Sequence, residues 1–212
     1  MLQTPLLATL LNSNLIHWVA TQLMQIWRES RFQGTYKVDN HQSTLELCDA
    51  SGDTALYTKR QTITFTQNNV FAIQDQAWGD GEIFAEYQTS LGKPVDYYEE
   101  GHRWKVLISL RASRNQGEQE SFWIERTIKN GFTKQANNFS VRIDHPTQNL
   151  SLSVIFPNSR LPRHISFLEQ NAKRSHALKN EHITSLSQEQ TQYTYPIPKP
   201  HLFEEYSLRW EW

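Results

Sequence analysis

Residues 103–111 have the sequence RWKVLISLR, and this stretch decides the predicted fold. Every second residue from Trp104 to Leu110 is apolar, whereas polar residues such as Lys105 and Ser109 stand between them. Side chains of a β-strand point alternately to opposite faces of the sheet. A period of two therefore predicts a strand with one buried face and one wetter face.

The same alternation recurs on both sides of this stretch. It predicts strands over residues 35–38, 43–48, 54–57, 61–66, 70–75, 83–88, 122–128, 139–144, 150–156 and 206–212. Short turns separate several of them, and Asn130-Gly131 is typical of a two-residue hairpin. Tight turns join antiparallel strands. We therefore predict a mainly β fold, an antiparallel β-sandwich or a partly closed barrel of about ten strands with one N-terminal α-helix.

The last predicted strand carries four large apolar residues on one face. They are Tyr206, Leu208, Trp210 and Trp212. In a free tail each would stay in water, although its burial is worth about 1.5–3 kcal/mol. This pattern predicts that the C-terminal strand belongs to the core.

Two segments lack the period of two. Residues 1–30 carry apolar side chains at helical spacing after Thr4-Pro5, which predicts an N-terminal amphipathic helix packed on the β domain. The β domain is expected over residues 31–212, with a long polar connection at about 157–190 that includes a short helix near residues 165–172. An N-terminal helix with a wide apolar face would bind a protein partner or a second copy of the chain.

Composition and charge exclude several classes of protein. The 212 residues carry a net charge of −1, with a pI near 6.7, so nucleic acid is not a favoured partner. A single cysteine, Cys48, allows no intrachain disulfide, which is typical of a cytoplasmic location. Polar residues interrupt the apolar N-terminal segment, so no transmembrane segment is expected. The sequence contains no signature of a bound cofactor.

One acidic turn is a candidate metal site. Asp75, Asp80 and Glu82 flank two glycines and could direct their oxygens at Ca²⁺ or Mg²⁺. The alternative is a turn in which the glycines adopt positive φ angles.

Basic residues form two candidate ligand-binding groups. Arg111, Arg114, Arg126 and Arg142 lie on or near three consecutive predicted strands and would form a basic sheet face. Arg160, Arg163 and His164 lie in a loop after a core strand. Arginine suits bidentate contacts with carboxylate or phosphate. The alternative is a solvated surface with ordinary ion pairs.

Three functions remain open from the sequence. The favoured one is a non-enzymatic binding module that engages a protein partner or a small anionic ligand through its loops or basic sheet face. The second is a hydrolase that uses acidic loop carboxylates near residues 75–82 and 96–100, with or without a divalent metal. The third is a small-molecule carrier built as a closed barrel. No residue is assigned a catalytic role.

Overall fold

Strands make up most of the described chain. The computed structural model describes residues 32–212 together with Val19, Ala20 and Leu23. In chain order the strands are β1 (Tyr36–Leu47), β2 (Thr54–Phe65), β3 (Val70–Ala77), β4 (Glu82–Thr89), β5 (Gly92–Glu100), β6 (Arg103–Arg114), β7 (Gln119–Lys129), β8 (Ala136–Arg142), β9 (Thr147–Pro157), β10 (His164–Glu169), β11 (Arg174–Ala177), β12 (Ile183–Ser185), β13 (Gln190–Pro198) and β14 (Glu205–Glu211). A 3-10 helix, Asn180–His182, precedes β12. The mainly β prediction is confirmed, although there are more strands than expected.

These strands form three sheets. A seven-stranded sheet has the order β12-β13-β9-β1-β2-β7-β4, a four-stranded sheet the order β11-β10-β14-β8, and a three-stranded sheet the order β3-β6-β5. Within the described residues every neighbouring pair is antiparallel except β1 and β9, which are parallel. Each sheet has two edge strands, so residues 32–212 form no closed barrel.

Both smaller sheets cover the same face of the seven-stranded sheet. Tyr57, Ile63 and Phe65 lie on one face of β2, because they are separated by even numbers of residues. Ile63 and Phe65 belong to a core cluster that includes Ile73 of β3. The Tyr57 ring meets Phe139 of β8 edge to face, with centroids 5.7 Å apart. The result is a two-layer structure whose second layer is divided between two sheets.

The C-terminal strand is part of the core, as predicted. β14 lies between β10 and β8 in the four-stranded sheet. Tyr206, Leu208, Trp210 and Trp212 are all buried. The Trp210 ring packs edge to face on Phe156 of β9 at 5.5 Å, which connects the two layers.

The pairing of the central strands differs from the prediction. The predicted basic sheet face requires β6, β7 and β8 to be neighbours, but each belongs to a different sheet. Asn130-Gly131 therefore lies in a connection between two layers and is not the turn of a hairpin. Alternation specifies which face of a strand is buried, but it does not specify the partner strand.

The predicted polar connection at about 157–190 contains regular structure. It includes β10, β11, the 3-10 helix, β12 and the first residue of β13. The short helix expected near residues 165–172 is wrong, because β10 pairs with β14 over Ile165 and Phe167. β11 and β12 are edge strands with exposed residues, so their polar sequences carry no buried face to reveal them.

The predicted N-terminal helix over residues 1–30 lies outside the described residues, apart from Val19, Ala20 and Leu23. These three residues are helical and exposed. The helix, its packing and its role in association stay predictions. In the part of the chain that the structure describes, no helix is long and apolar enough to cross a membrane. All fourteen strands belong to one compact unit, Gly34–Trp212.

Candidate functional site

A cavity of about 780 Å³ lies between the two layers, and we call it the seam cavity. Its floor is the covered face of the seven-stranded sheet, with residues from β1, β2 and β7. β3 and β6 line one side and β8 lines the other. Further lining residues include 78–80, 131–132, Lys134 and 143–145. Sites for small organic molecules have volumes of about 300–1,000 Å³, so the seam cavity has a suitable size.

A buried ion pair between Lys59 of β2 and Asp75 of β3 connects the floor to the side wall. The Tyr87 hydroxyl donates a hydrogen bond to the second carboxylate oxygen of Asp75 at 3.1 Å. Burial alone would raise the pKa of Asp75, but the positive charges of Lys59 and Arg126 outweigh it and lower that pKa. Asp75 is therefore a buried carboxylate whose two oxygens already have partners. We call Lys59, Asp75 and Arg126 the charged cluster.

Arg126 of β7 is the unusual member of the charged cluster. Its guanidinium carbon lies 4.1 Å above the centroid of the Tyr57 ring. The residue is 8% exposed and lines the seam cavity. Its Nε and Nη1 atoms have no hydrogen-bond acceptor among the described residues. A buried N–H group without an acceptor costs about 1–3 kcal/mol. Such a group in a native protein therefore calls for an acceptor from a ligand, an ion or a water molecule.

The lining of the seam cavity carries an excess of positive charge. Five cationic side chains face three carboxylates: Lys59, Lys105, Arg126, Lys134 and Arg142 against Asp75, Asp80 and Asp144. Asp80 pairs with Lys134 at 2.5 Å, Asp144 with Arg142 at 3.1 Å, and Lys105 lies 3.6 Å from Glu100. Among the described lining residues, Arg126 is thus the cation without an ion pair.

A chain of hydrogen bonds runs through the floor beneath the charged cluster. The Ser43 Oγ atom lies 2.9 Å from His41 Nε2 and 3.2 Å from the Tyr57 hydroxyl. Burial, assisted by the positive charge of Lys59, lowers the pKa of His41 to about 3, so the imidazole is neutral at pH 7. Ser43 is fully buried and lies outside the cavity lining. A weakly basic histidine beside an inaccessible serine is a structural network, since a nucleophile must reach its substrate.

The end of the seam cavity near Asp144 is crossed by polar and aromatic contacts. The Gln76 side chain of β3 donates a hydrogen bond to Asp144, just beyond β8. His145 stacks on Tyr36 with ring centroids 4.0 Å apart. Burial, together with Lys59, lowers the pKa of His145 to about 4. These contacts fix the position of β8 relative to β1 and β3.

The predicted basic sheet face does not form, because its strands belong to different sheets. Arg111 is exposed, and Arg114 pairs with Glu120 at 2.8 Å. Arg126 and Arg142 do come together at the seam cavity, from β7 and β8. The structure therefore brings together two of the four predicted arginines, inside the protein and not on its surface.

The second predicted basic group lies away from the seam cavity lining. Arg160 stacks over the Trp212 ring at 4.0 Å and donates a hydrogen bond to the Ala50 carbonyl at 2.6 Å. Arg163 and His164 are exposed at the start of β10. Arg160 thus packs loops together, and it does not converge with the other two residues on a pocket.

The candidate metal ligands are not gathered into a metal site. Asp75 is buried against Lys59, whereas Asp80 is largely exposed and pairs with Lys134. Glu82 is exposed at the start of β4. Across residues 32–212, no group of three or more His, Cys, Asp or Glu side chains could hold a metal ion. The alternative, a turn with positive φ angles, matches Gly79 at 143° and Gly81 at 75°.

The acidic residues near 96–100 lie on β5, an edge strand of the three-stranded sheet, and are exposed. Asp75 is buried and already paired, so it is not a free carboxylate facing them. Residues 32–212 form no closed barrel, so the architecture predicted for the small-molecule carrier is wrong.

The sequence patterns did not predict three residues that line the seam cavity: Lys59, His41 and Tyr57. The alternation of side chains along β2 could have identified Lys59. Lys59 is separated by even numbers of residues from Ile63 and Phe65, which are in the core, so its side chain must point inward. A charged residue in phase with buried residues is a candidate for a buried polar site.

Comparisons with known proteins give weak structural similarity. No family model matches the sequence, and no curated protein matches it. Among solved structures, an M1 zinc metallopeptidase from Deinococcus radiodurans is 11% identical, with a TM-score of 0.45, and the alignment covers 82% of this chain and 42% of that chain. Legionella pneumophila aminopeptidase A in complex with aspartic acid is 13% identical, with a TM-score of 0.47, and the alignment covers 86% and 22% of the two chains. The chain spans less than half the length of either protein, and similarity at this level assigns no activity.

Proposed function

We propose that the protein is a non-enzymatic binding module that takes a small organic anion into the seam cavity. Arg126 receives the carboxylate or phosphate of that ligand. The supporting observation is a buried guanidinium on the floor of the cavity whose Nε and Nη1 have no acceptor in the part of the chain that the structure describes. A charge-assisted hydrogen bond from arginine to an anion is stronger than one between neutral groups, so an anion satisfies Arg126 best.

The surroundings of Arg126 support an anion that also has an apolar body. Tyr57, Ile73, Ile128 and Phe139 line the seam cavity beside the charged groups. Sites for small molecules typically combine such apolar walls with a few polar groups that orient the ligand. The charged cluster holds two cations and one carboxylate, so its net charge attracts one negative charge. A hydrolytic role has no comparable support, because Asp75 is already paired and the acidic residues near 96–100 are exposed on an edge strand. The two histidines that line the cavity, His41 and His145, are weak bases.

Calorimetric titration with 4-bromobenzoate tests the proposal. The uncharged 4-bromobenzamide has a similar shape and is the matched control ligand. We expect the carboxylate to bind at least about tenfold more tightly, since the loss of one charged partner costs about 2–5 kcal/mol. Arg126→Met should remove this preference. Arg111→Met alters an exposed arginine of β6 outside the cavity lining and should leave it unchanged. Equal binding of the two ligands, or an Arg126→Met variant that binds normally, would refute the proposal.

A further inference from the structure

Two strand edges border the seam cavity. β3 is an edge strand of the three-stranded sheet, and β8 is an edge strand of the four-stranded sheet. Residues 72–76 of β3 and 136–142 of β8 line the cavity without interruption. A strand that presents only a face to a cavity contributes every second residue. Consecutive lining residues therefore indicate that the edges of both strands border the cavity.

β3 and β8 lie in the same layer. Ile73 of β3 and Phe139 of β8 both pack on the side of β2 that carries Tyr57 and Ile63. The hydrogen bond from Gln76 to Asp144 connects the two sheets near one end of the seam. The second layer is thus one sheet interrupted between β3 and β8, with the seam cavity at the interruption.

The free edges of β3 and β8 carry backbone groups that an added strand would pair with. Within residues 32–212, β3 pairs only with β6 and β8 pairs only with β14. The other edge of each strand presents N–H and C=O groups that can accept an extended peptide. Strand addition obtains its affinity from such main-chain hydrogen bonds and its specificity from pockets for alternate side chains.

The volume of the seam cavity sets the length of the added strand. One residue of a packed strand occupies about 160 Å³, from a rise of about 3.3 Å, a strand spacing of about 4.8 Å and a layer spacing of about 10 Å. A cavity of about 780 Å³ therefore holds about five residues.

We propose that the seam cavity binds an extended acidic peptide of about five residues as an added strand between β3 and β8. A peptide carboxylate contacts Arg126. This inference rests on the proposed anion site and names the class of its ligand. Every second side chain of the added strand points to the seven-stranded sheet, where Arg126 is opposite Tyr57 of β2 and two residues from Ile128 on β7. The excess positive charge of the lining selects an acidic residue, and the aromatic and aliphatic neighbours select apolar residues two positions away.

The test uses an acetylated and amidated pentapeptide with central glutamate, threonine at the second and fourth positions, and valine at both ends. A second peptide has glutamine in place of glutamate, and a third is N-methylated at both threonines. We expect the glutamate peptide to bind, and the other two to bind at least about tenfold more weakly. Amide hydrogen exchange in residues 72–76 and 136–142 should slow when the glutamate peptide is bound, because strand addition protects both edges.

Further peptides and the comparison with 4-bromobenzoate distinguish strand addition from anion binding alone. Binding of a glutamine peptide with a free C-terminal carboxylate, with protection of both edges, supports strand addition with the terminal carboxylate at Arg126. Equal binding of the N-methylated peptide, or exchange unchanged in β3 and β8, overturns strand addition. If 4-bromobenzoate binds normally and no peptide does, strand addition fails while the anion site stands. If neither 4-bromobenzoate nor any peptide binds, both proposals fail.

Discussion

Replacement of Arg126 by methionine should stabilise the ligand-free protein while it abolishes anion binding. The substitution removes two buried nitrogen atoms, Nε and Nη1, that have no acceptor among residues 32–212, and a buried donor of this kind costs about 1–3 kcal/mol. It also removes the stacking of the guanidinium on Tyr57, worth about 0.5–2 kcal/mol, and the attraction to Asp75, which keeps its ion pair with Lys59. Methionine fills irregular space with a flexible apolar chain. We expect the free energy of unfolding to rise by about 1–2 kcal/mol.

Thermal and urea unfolding of the ligand-free protein measure this change. A gain of about 1–2 kcal/mol should raise the Tm by about 2–8 °C for a domain of this size. Arg126→Lys keeps a buried charge without the planar fork of donors, so it should not show this stabilisation. Arg111→Met, at an exposed position, should change the Tm by less than about 2 °C. A fall in Tm of several degrees for Arg126→Met would show that Arg126 stabilises the ligand-free fold, and it would contradict a role in ligand binding.

Three other perturbations give expected outcomes. Asp75→Asn should lower the free energy of unfolding by about 3–5 kcal/mol, because it removes the carboxylate that pairs with the buried Lys59. The same substitution makes the net charge of the charged cluster more positive, so it should tighten 4-bromobenzoate binding. Weaker binding would contradict the role of net charge. Trp210→Ala should cost about 3–5 kcal/mol in urea unfolding, since this side chain is fully buried; a loss below about 1 kcal/mol would place it outside the core. The pKa of His41 is about 3 in the folded protein and near 6.5 in the unfolded chain, so the unfolded state takes up the proton first as pH falls. The contribution of His41 to stability should decline from about pH 6.5 towards pH 3, by about 3 kcal/mol at pH 4.5. The stability of His41→Gln should therefore decline less than that of the exposed control His164→Gln.

The period of two along the chain predicted the faces of the strands. Trp210 and Ile63 are buried because they are in phase with other apolar residues of their own strands, and this is visible in the sequence. Strand partners were not predictable in the same way. β7 pairs with β2 and β4, although Asn130-Gly131 suggested a hairpin to β8. Pairing depends on contacts between residues far apart in the chain, and alternation carries no information about them.

The candidate site was predicted in part. Arg126 and Arg142 were candidates because of their chemistry, but their meeting point depends on a second layer divided into two sheets. The sequence showed no such division. Arg126 is in phase with the buried Ile124 and Ile128, which marks it as an inward arginine. The excess charge of the lining is visible only in the three-dimensional arrangement, and so is the lack of an acceptor for Arg126 within residues 32–212.

A crystal structure of the protein soaked with 4-bromobenzoate tests the anion site most directly. The anomalous signal of bromine distinguishes the ligand from solvent in the electron density. We expect the bromine inside the seam cavity and a carboxylate oxygen about 2.7–2.9 Å from a nitrogen of Arg126. Bromine peaks confined to the outer surface, or a ligand in the cavity whose carboxylate points away from Arg126, would contradict the proposed role of that residue.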